Sequence, residues 1–591
     1  MAALSIQLPF PVFTDSDGQP VEGGYVWIGR ANRDPRLYPV NVYFDKNLTI
    51  PAGQPLRTVG GYIVHNGSPA QLFIDGIDYS ILVQNRKGID IYSFPSGTGV
   101  SPNSSAITYL PAGTGAVART VQGKLREVVS VKDFGAVGDG VTNDTAAIQA
   151  AIDAGKPYSP FTGTGRLIYF PPGRYKVTTI DMTDCHGVHL VGAGPNATEL
   201  FTNGTNQVIK AVGSSAMPLN KAGIKDMTIR GGGSTNTNAH GVDLRWANTC
   251  YLENLVFHGC RHAVNLSHQW QTYLTNLSIH GAGNDLNYIG VFMDATDAAY
   301  SDNAVIANGV FVQGTSGYGF RIINGQGSKF VNCEAGGSPM INGWYVGDPP
   351  VGTFECLWMH FVNCLGDSTI GPCWLFRKGA ATKLGQIQLT NCWAGNGDYG
   401  FYLDGVTNSV IANALAVGHA KSGILLHQCA YNVVSSCVLV DNNEDASTSV
   451  GDIQLQAGMY NKIVDCHSSP LPGGKSLLET LGTDSNTITG NTFFQGATII
   501  GANTLVYRNQ GFKTEQSGSA QILPGDTSVV VPHALGITPS VDNIRITPRD
   551  NMGSATKFWV SAADATSFTL NVNTAPGATI TFGWSIDLVR S

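Results

Sequence analysis

Apolar and polar positions alternate with a period of two through most of the chain, in short bursts broken by turn residues. The clearest burst is a Gly-Φ-x-Φ phrase, where Φ is apolar: Gly343-Trp344-Tyr345-Val346, then Gly400-Phe401-Tyr402-Leu403. Copies begin at Gly241, Ala263, Gly290, Gly319, Gly343, Gly400, Gly423 and Asp452, with a degenerate copy at Cys373-Trp374-Leu375-Phe376, at spacings of 22 to 30 residues. A second phrase ends in Asn-Cys: Phe330-Val331-Asn332-Cys333, Phe361-Val362-Asn363-Cys364 and Leu389-Thr390-Asn391-Cys392. Period-two alternation predicts strands. The longer period suits a coil of three short strands and three turns. Such a coil cannot bury its own apolar face and must stack on its neighbours. Neither the i, i+3, i+4 pattern of helical repeats nor a Leu-x-x-Leu-x-Leu pattern is present. The predicted fold is all-β: a right-handed parallel β-helix of about ten coils, roughly 48 Å long at ~4.8 Å per coil.

Alternation also sorts the side chains. Val242/Leu244, Val291/Met293, Phe320/Ile322, Trp344/Val346, Trp374/Phe376 and Phe401/Leu403 are expected in the core. Asp243, Asn265, Phe292, Arg321, Tyr345 and Tyr402 are expected to point out, as a glycan groove or a subunit contact. Trp344 and Trp374 look like sugar platforms, but their register makes them core.

The flanks read differently. Residues 1–108 carry short alternating runs (Tyr25–Ile28, Val40–Phe44, Gln71–Ile74, Tyr79–Val83) between turn signals Asp17-Gly18, Asn66-Gly67 and Asp75-Gly76, a small antiparallel β domain. A linker at about 95–116 and a short helical piece at 118–127 follow, so 109–127 reads as linker and neck. Residues 128–510 are the solenoid. Thr145 to about Ala154 is predicted as an amphipathic helix, N-capped by Asn143 or Asp144, that covers the open end of the first coil. From 511 to 591, runs such as Ser528–Val531, Asn543–Thr547, Lys557–Val560 and Ser567–Val572 predict a terminal β-sandwich.

Composition narrows the function. The 591 residues carry a net charge of −7, only 13% charged residues and 72 glycines, which suits a turn-rich all-β protein. No basic block offers a footprint for nucleic acid. No apolar run of about 18 residues predicts membrane insertion, and the first residues lack a secretory leader pattern. Of the 11 cysteines, Cys333, Cys364, Cys392, Cys437 and Cys466 recur at one place in successive coils and read as a stacked column of buried thiols. No convergent Cys/His spacing predicts a metal site, and no cofactor is expected.

Two stretches resemble a known family. The segment Phe13-Thr14-Asp15-Ser16-Asp17-Gly18, with Asp45-Lys46-Asn47 and the run from Tyr62 to Phe94, resembles the virion-attachment domain of tailspikes from short-tailed bacteriophages. Lys132-Asp133-Phe134-Gly135-Ala136-Val137-Gly138-Asp139-Gly140 resembles the start of the pectate-lyase-type β-helix of tailspikes and depolymerases. Together they cover about a third of the chain. The resemblance implies a homotrimer attached to phage virion or tail proteins through the N-terminal domain. It implies folding in the host cytoplasm, where a disulfide ladder would not form, and action at the bacterial surface from the virion tail. It also implies cleavage of bacterial surface polysaccharide, the O-antigen of lipopolysaccharide or a capsule.

Glycoside hydrolysis needs two carboxylates. The turns are mostly Gly, Asn and Ser, so acids there stand out. Glu334 follows Asn332 by two residues, and Asp367 follows Asn363 by four on the next coil. Trp393 continues the series as a stacking platform, with Asp398 beyond it. Glu334, Asp367 and Asp398 are therefore the candidate catalytic residues. Trp393, Arg321, Tyr345, Tyr402, Trp270 and Tyr288 are the candidate substrate contacts. Trp270, Tyr273 and Tyr288 are expected in a long loop region, 267–289. The resembling tailspikes also use a Glu/Asp pair one rung apart. Where some of them carry a further Asp, this chain has Ile370. Competing acids are Asp294, Asp297, Asp302, Asp348 and Glu355, and a site shared between subunits would pair 294–302 with 348–367 of a neighbour.

The expected activity is an endoglycosidase. The alternatives are a polysaccharide lyase, for which Arg321, Lys329 or Arg377 would neutralise a uronate carboxylate, and a glycan-binding adhesin that does not cut. Gly192-Ala193-Gly194 lacks the rest of a dinucleotide loop. Gly366-Asp367-Ser368 resembles a GDS-type esterase block, but no late Asp-x-x-His accompanies it. Asp139–Asp144 lacks the terminal Glu of a calcium loop. His258, His262, His268 and His280 are dense but read as separate coil residues rather than as ligands.

Overall fold

The computed structural model describes residues 4–5, 11–75, 78–98, 105, 107–157, 164–233, 235–281, 287–294, 301–349, 355–381, 383–501, 503–535 and 538–588. Asp297, Gly76 of the Asp75-Gly76 turn and most of the linker between 99 and 106 lie outside them. The chain divides into two compact units, Met1–Glu127 and Val128–Ser591.

The first unit is built on an antiparallel sheet whose strand order is Asp90–Thr98, Asp78–Gln84, Tyr25–Gly29, Leu56–Val59, Tyr62–His65, Ser68–Pro69. Val26, Ile28, Ile81 and Val83 fill its core. A short helix, Val121–Leu125, closes the unit, with the Thr120 hydroxyl accepting from the Gly123 N–H as its N-cap.

The second unit is a parallel β-helix. Two long parallel sheets of 25 and 18 strands run along it. One coil shows how they are made: Lys329–Val331 and Glu334–Gly336 lie in the first sheet, then Asn342–Gly347 and Glu355–Leu357 in the second. The next coil repeats this with His360–Val362, Leu365–Asp367, Trp374–Arg377 and Lys383–Gly385. The Asn of the Asn-Cys phrase is the corner between the first two strands. Asn332, Asn363 and Asn391 take φ of 52°, 53° and 54°. The left-handed conformation costs most L-residues roughly 1–2 kcal/mol, and Asn is among the few that adopt it routinely. The corner amides also bond along the stack. Asn363 Nδ2 donates to Asn332 Oδ1 and Asn391 Nδ2 to Asn363 Oδ1, each at 3.3 Å. Each Cys then turns inward, and all eleven cysteines are buried and outside any disulfide.

The expected inward residues form the core. Phe320, Trp344, Trp374 and Phe401 stack in one column, with Phe320–Trp344 centroids 3.9 Å apart and Trp344–Trp374 4.7 Å apart. The expected outward row is also one column: Asp243 pairs with Asn265, then Phe292, Arg321, Tyr345, Leu375 and Tyr402. Its exposure differs from expectation, because Asp243, Asn265, Arg321 and Tyr345 are buried by their neighbours.

The helix Thr145–Gly155 packs on the first coil, burying Ile148 and Ile152. Asp144 is its N-cap residue, yet its carboxylate serves the preceding loop, accepting the Val137 and Gly138 N–H groups at 2.7 and 3.0 Å. Toward the C-terminus the parallel coils give way to two three-stranded antiparallel sheets built from strands between Glu515 and Asp587. These have their own core of Ile522, Phe568, Leu570, Phe582 and Ile586.

Candidate active site

Strand register sets the site. On the outer face of the first sheet, Arg230 pairs with His258. His280 comes next, its ring 4.5 Å from that of His258. Gln313 follows, the residue after the Ile279–Val312 pair. Gln313 pairs with Gly336, and Gly336 with Asp367. These six residues form one column about 24 Å long at ~4.8 Å per coil. They line a single open groove of ≈ 670 Å³, together with Glu334 and Ser368.

Glu334 and Asp367 both lie in this groove, on strands rather than in turns. Glu334 opens its strand and Asp367 closes the next one. Glu334 is in register with Leu365, and Gly336 with Asp367. The two acids are thus diagonal neighbours, one coil across and two residues along. Two residues along preserve the face of a strand, so both carboxylates point into the groove. Their Cα atoms stand about 8 Å apart by strand geometry. Each accepts one amide hydrogen bond: Glu334 from Gln313 Nε2 at 3.0 Å, Asp367 from Asn396 Nδ2 at 3.2 Å.

Glycine makes room between them. A Cβ on Gly336 would meet the Asp367 carbonyl oxygen at 2.7 Å and its Cβ at 3.2 Å. Trp393 sits in the Glu334 column, two coils on, since Leu365 pairs with both. Its ring reaches over Gly395 toward Asp367. A Cβ on Gly395 would lie 2.9 Å from Trp393 Cζ2 and 3.0 Å from Asp367 Oδ1. The Trp393 indole N–H is buried and makes no hydrogen bond among the described residues.

The other expected residues lie apart from the groove. Asp398 is paired with Lys421 at 2.9 Å, beside Tyr399 and Tyr402. Arg321 is buried, its guanidinium 4.0 Å over the Tyr345 ring and donating to the Gly347 carbonyl at 2.7 Å and the Asp348 carbonyl at 3.1 Å. Tyr345 is hydrogen-bonded to Asp348, and burial first, then that bond, push its hydroxyl up to about 12. Tyr288 lies under the Arg261 guanidinium at 3.8 Å. Trp270 ends the strand His262–Trp270 on the second sheet and Tyr273 begins the strand Tyr273–Ile279 on the first, so most of the expected 267–289 loop is strand. Lys329 is exposed at the start of the strand Lys329–Val331, and Arg377 is 3.5 Å from Asp404. Of the competing acids, Asp294 is mostly buried, which raises its carboxyl.

Sequence reasoning missed Arg230, and it treated His258 and His280 as unrelated. The signal was available in principle. Arg230 and His258 end their strands and His280 follows one of the same phase, but register is needed to align them. Arg230 is held by Glu199 at 2.8 Å, and Glu199 also binds Arg174. The two guanidinium groups hold the Glu199 carboxyl below its usual range, against the opposing effect of burial.

Comparison with known proteins agrees with the architecture. Residues 128–221 match the family model "Rhamnogalacturonase A/epimerase, pectate lyase-like", and residues 379–525 match "Periplasmic copper-binding protein (NosD)". The second match covers the repeated strands. Among the described residues no three His, Cys, Asp or Glu side chains converge in a way that could hold a metal ion, so these residues do not fit a copper centre. The chain is 39% identical over 111 residues to mannuronan C5-epimerase AlgE2 of Azotobacter vinelandii, which is 17% of this chain and 11% of that protein. It is 38% identical over 111 residues to alginate lyase 7 of the same organism, 17% of this chain and 12% of that one. The chain therefore spans only about a tenth of the length of these curated relatives. Among solved structures, tailspike protein 3 of bacteriophage CBA120 superposes with a TM-score of 0.51 at 15% identity, covering 69% of this chain and 66% of that one. The fold is the pectate-lyase-like parallel β-helix that phage tailspikes use. Among the described residues no helix is long and apolar enough to cross a membrane.

Proposed function

We propose that this protein is a phage tailspike endoglycosidase that hydrolyses a bacterial surface polysaccharide, O-antigen or capsule, in the groove of Glu334 and Asp367. The single observation behind this reading is the diagonal pair of carboxylates facing one open groove on adjacent coils. In the proposed reaction one carboxyl group protonates the glycosidic oxygen while the other, as carboxylate, activates water. The two Cα atoms stand about 8 Å apart; carboxyl groups held roughly 6.5–9.5 Å apart would leave room for that water and give inversion, whereas about 5–5.5 Å would give retention. The groove is open along its length, which suits cutting within a polymer. Residues 1–108 would attach the protein to the virion, three copies would assemble side by side, and the 511–591 segment would hold the trimer. The test is incubation of full-length protein with polysaccharides from a panel of bacterial hosts, read as product size. Glu334→Gln and Asp367→Asn should each abolish cutting and leave folding intact. Normal cutting by both variants would sink the assignment.

A second reading rests on Arg230, His258 and His280 in the same groove. A lyase or epimerase needs a cation against the uronate carboxylate and a base for the adjacent proton, and Arg230 and the histidines are the residues here that match that need. The matches to an epimerase and an alginate lyase support considering it. A product absorbing in the near ultraviolet would decide for the lyase. A change of sugar configuration without chain cutting would decide for the epimerase.

A further inference from the structure

We propose a second saccharide-binding site, separate from the groove of Glu334 and Asp367, around Trp270 on the other long sheet. A concave pocket of ≈ 550 Å³ lies there, lined by Trp246, Asn248, His268, Trp270, Ser301 and Asn303. Trp270 is 54% exposed. What sets it apart is its setting, since its exposed indole lines a concave pocket rather than an open convex surface. Register places Asn248, Trp270 and Asn303 one above the other on three successive coils. An indole is thus flanked on both sides by a carboxamide at ~4.8 Å spacing. The Asn303 side chain makes no hydrogen bond among the described residues.

The second wall is aromatic too. Trp246 stacks on His268 with centroids 4.0 Å apart and planes 9° from parallel. Both residues hold φ in the left-handed region, 50° and 59°, which is rare for a side chain as bulky as that of Trp246. The corners therefore display two flat rings at the pocket edge.

This combination fits a pyranose unit. One face of the sugar ring is a patch of C–H groups that packs on an indole, whose negative face attracts them. Its rim carries hydroxyls, each both donor and acceptor, and carboxamides offer both functions at once. The pocket volume lies in the usual range for small-molecule sites. A protein partner would instead need roughly 800 Å² of matched surface on each side. The occupant is a neutral sugar unit of a surface polymer. The site serves retention: it holds polymer on one sheet while the groove on the other sheet acts. It does not depend on whether Glu334 and Asp367 cut.

The test uses full-length protein carrying Glu334→Gln, so that polymer stays intact. Purified O-polysaccharides and capsular polysaccharides from a bacterial panel are titrated against this parent and against the parent with Trp270→Ala, Trp270→Phe or Asn303→Ala. Trp270→Ala should weaken binding of the recognised polymer roughly tenfold, the order expected on losing an aromatic anchor. Trp270→Phe should keep most of it, and Asn303→Ala should lose part. Melting temperature and oligomeric state should not change. In the cutting-competent background, Trp270→Ala should slow turnover of polymer and leave short oligosaccharides unaffected. Three results would overturn the proposal: binding by Trp270→Ala equal to the parent, no polymer in the panel engaging Trp270, or a change of oligomeric state that reveals a subunit contact. If the Glu334→Gln parent still cuts, the groove assignment fails instead, and the Trp270 comparison is read from initial binding.

Discussion

The Cα hydrogen of Gly395 faces the carboxylate of Asp367 on the preceding coil, so that a methyl group there would stand 3.0 Å from Asp367 Oδ1. The same methyl would press on Trp393 Cζ2 at 2.9 Å. Both contacts are with side-chain atoms that can move, so Gly395→Ala should fold and misplace the acid. We expect cutting to fall at least tenfold, since small misplacements of a reacting group cost that much. The melting temperature should shift only slightly. Unchanged activity would mean that Asp367 does not act from this position.

Trp374 links the core to the site. Its buried indole N–H donates to the Trp393 carbonyl at 3.0 Å, as Trp344 does to the Leu365 carbonyl at 3.0 Å. Trp374→Phe keeps an aromatic ring in the stack but removes this hydrogen bond, at a cost of about 0.5–1.5 kcal/mol. Trp374→Ala also opens a cavity and should cost about 3–5 kcal/mol. Denaturant unfolding measures both. An Ala variant no less stable than the Phe variant would contradict this account.

The corner column offers a backbone test. Asn363→Gly removes the side-chain bonds to Asn332 and Asn391 but suits φ of 53°. Asn363→Ala removes the same bonds and adds left-handed strain of roughly 1–2 kcal/mol. The Ala variant should therefore be the less stable of the two by about that amount in thermal or denaturant unfolding. The reverse order would show that left-handed strain does not govern the residue choice at this corner.

Stability should depend on pH through two buried groups of opposite sign. Asp452 is fully buried, accepting from Asn442 Nδ2 at 2.6 Å and Ser468 Oγ at 2.7 Å, and burial raises its carboxyl to about 7. The folded state thus keeps a proton that the unfolded chain releases near pH ~4. Its contribution is full below that pH and is lost as pH rises through about 7, by at most on the order of 4 kcal/mol. His419 behaves oppositely. Burial lowers it to about 4, so its contribution is full above pH ~6.5 and is lost as pH falls toward 4. Asp452→Asn should flatten the fall in melting temperature between about pH 4 and pH 7. An unaltered alkaline slope would show that Asp452 is ionised at neutral pH.

Much of the architecture was legible because a repeat constrains every coil alike. The Gly-Φ-x-Φ phrase located Trp344 and Trp374 in the core, where both are fully buried. The Asn-Cys phrase marked the corner and the inward thiol. The outward row was harder. Alternation gives the face of Arg321 and Tyr345 but not their cover, and both are buried by contacts with Gly347 and Asp348. Trp270 was expected in a loop lining the sugar groove, because alternation does not say which sheet a strand joins.

From the sequence alone come the period, the strand phase, the inward or outward face of each residue and the rarity of acids near the corners. These are local properties, set by alternation and by the few residues that tolerate a left-handed corner. Tertiary structure decided register. Coil lengths vary, so only stacking reveals that Glu334 meets Leu365 while Asp367 meets Gly336. The same stacking aligns Arg230 and His258 with the acids in one groove. It pairs Asp398 with Lys421 and carries Trp270 to the other sheet, because side chains meet across coils through strand hydrogen bonds, not through distance along the chain.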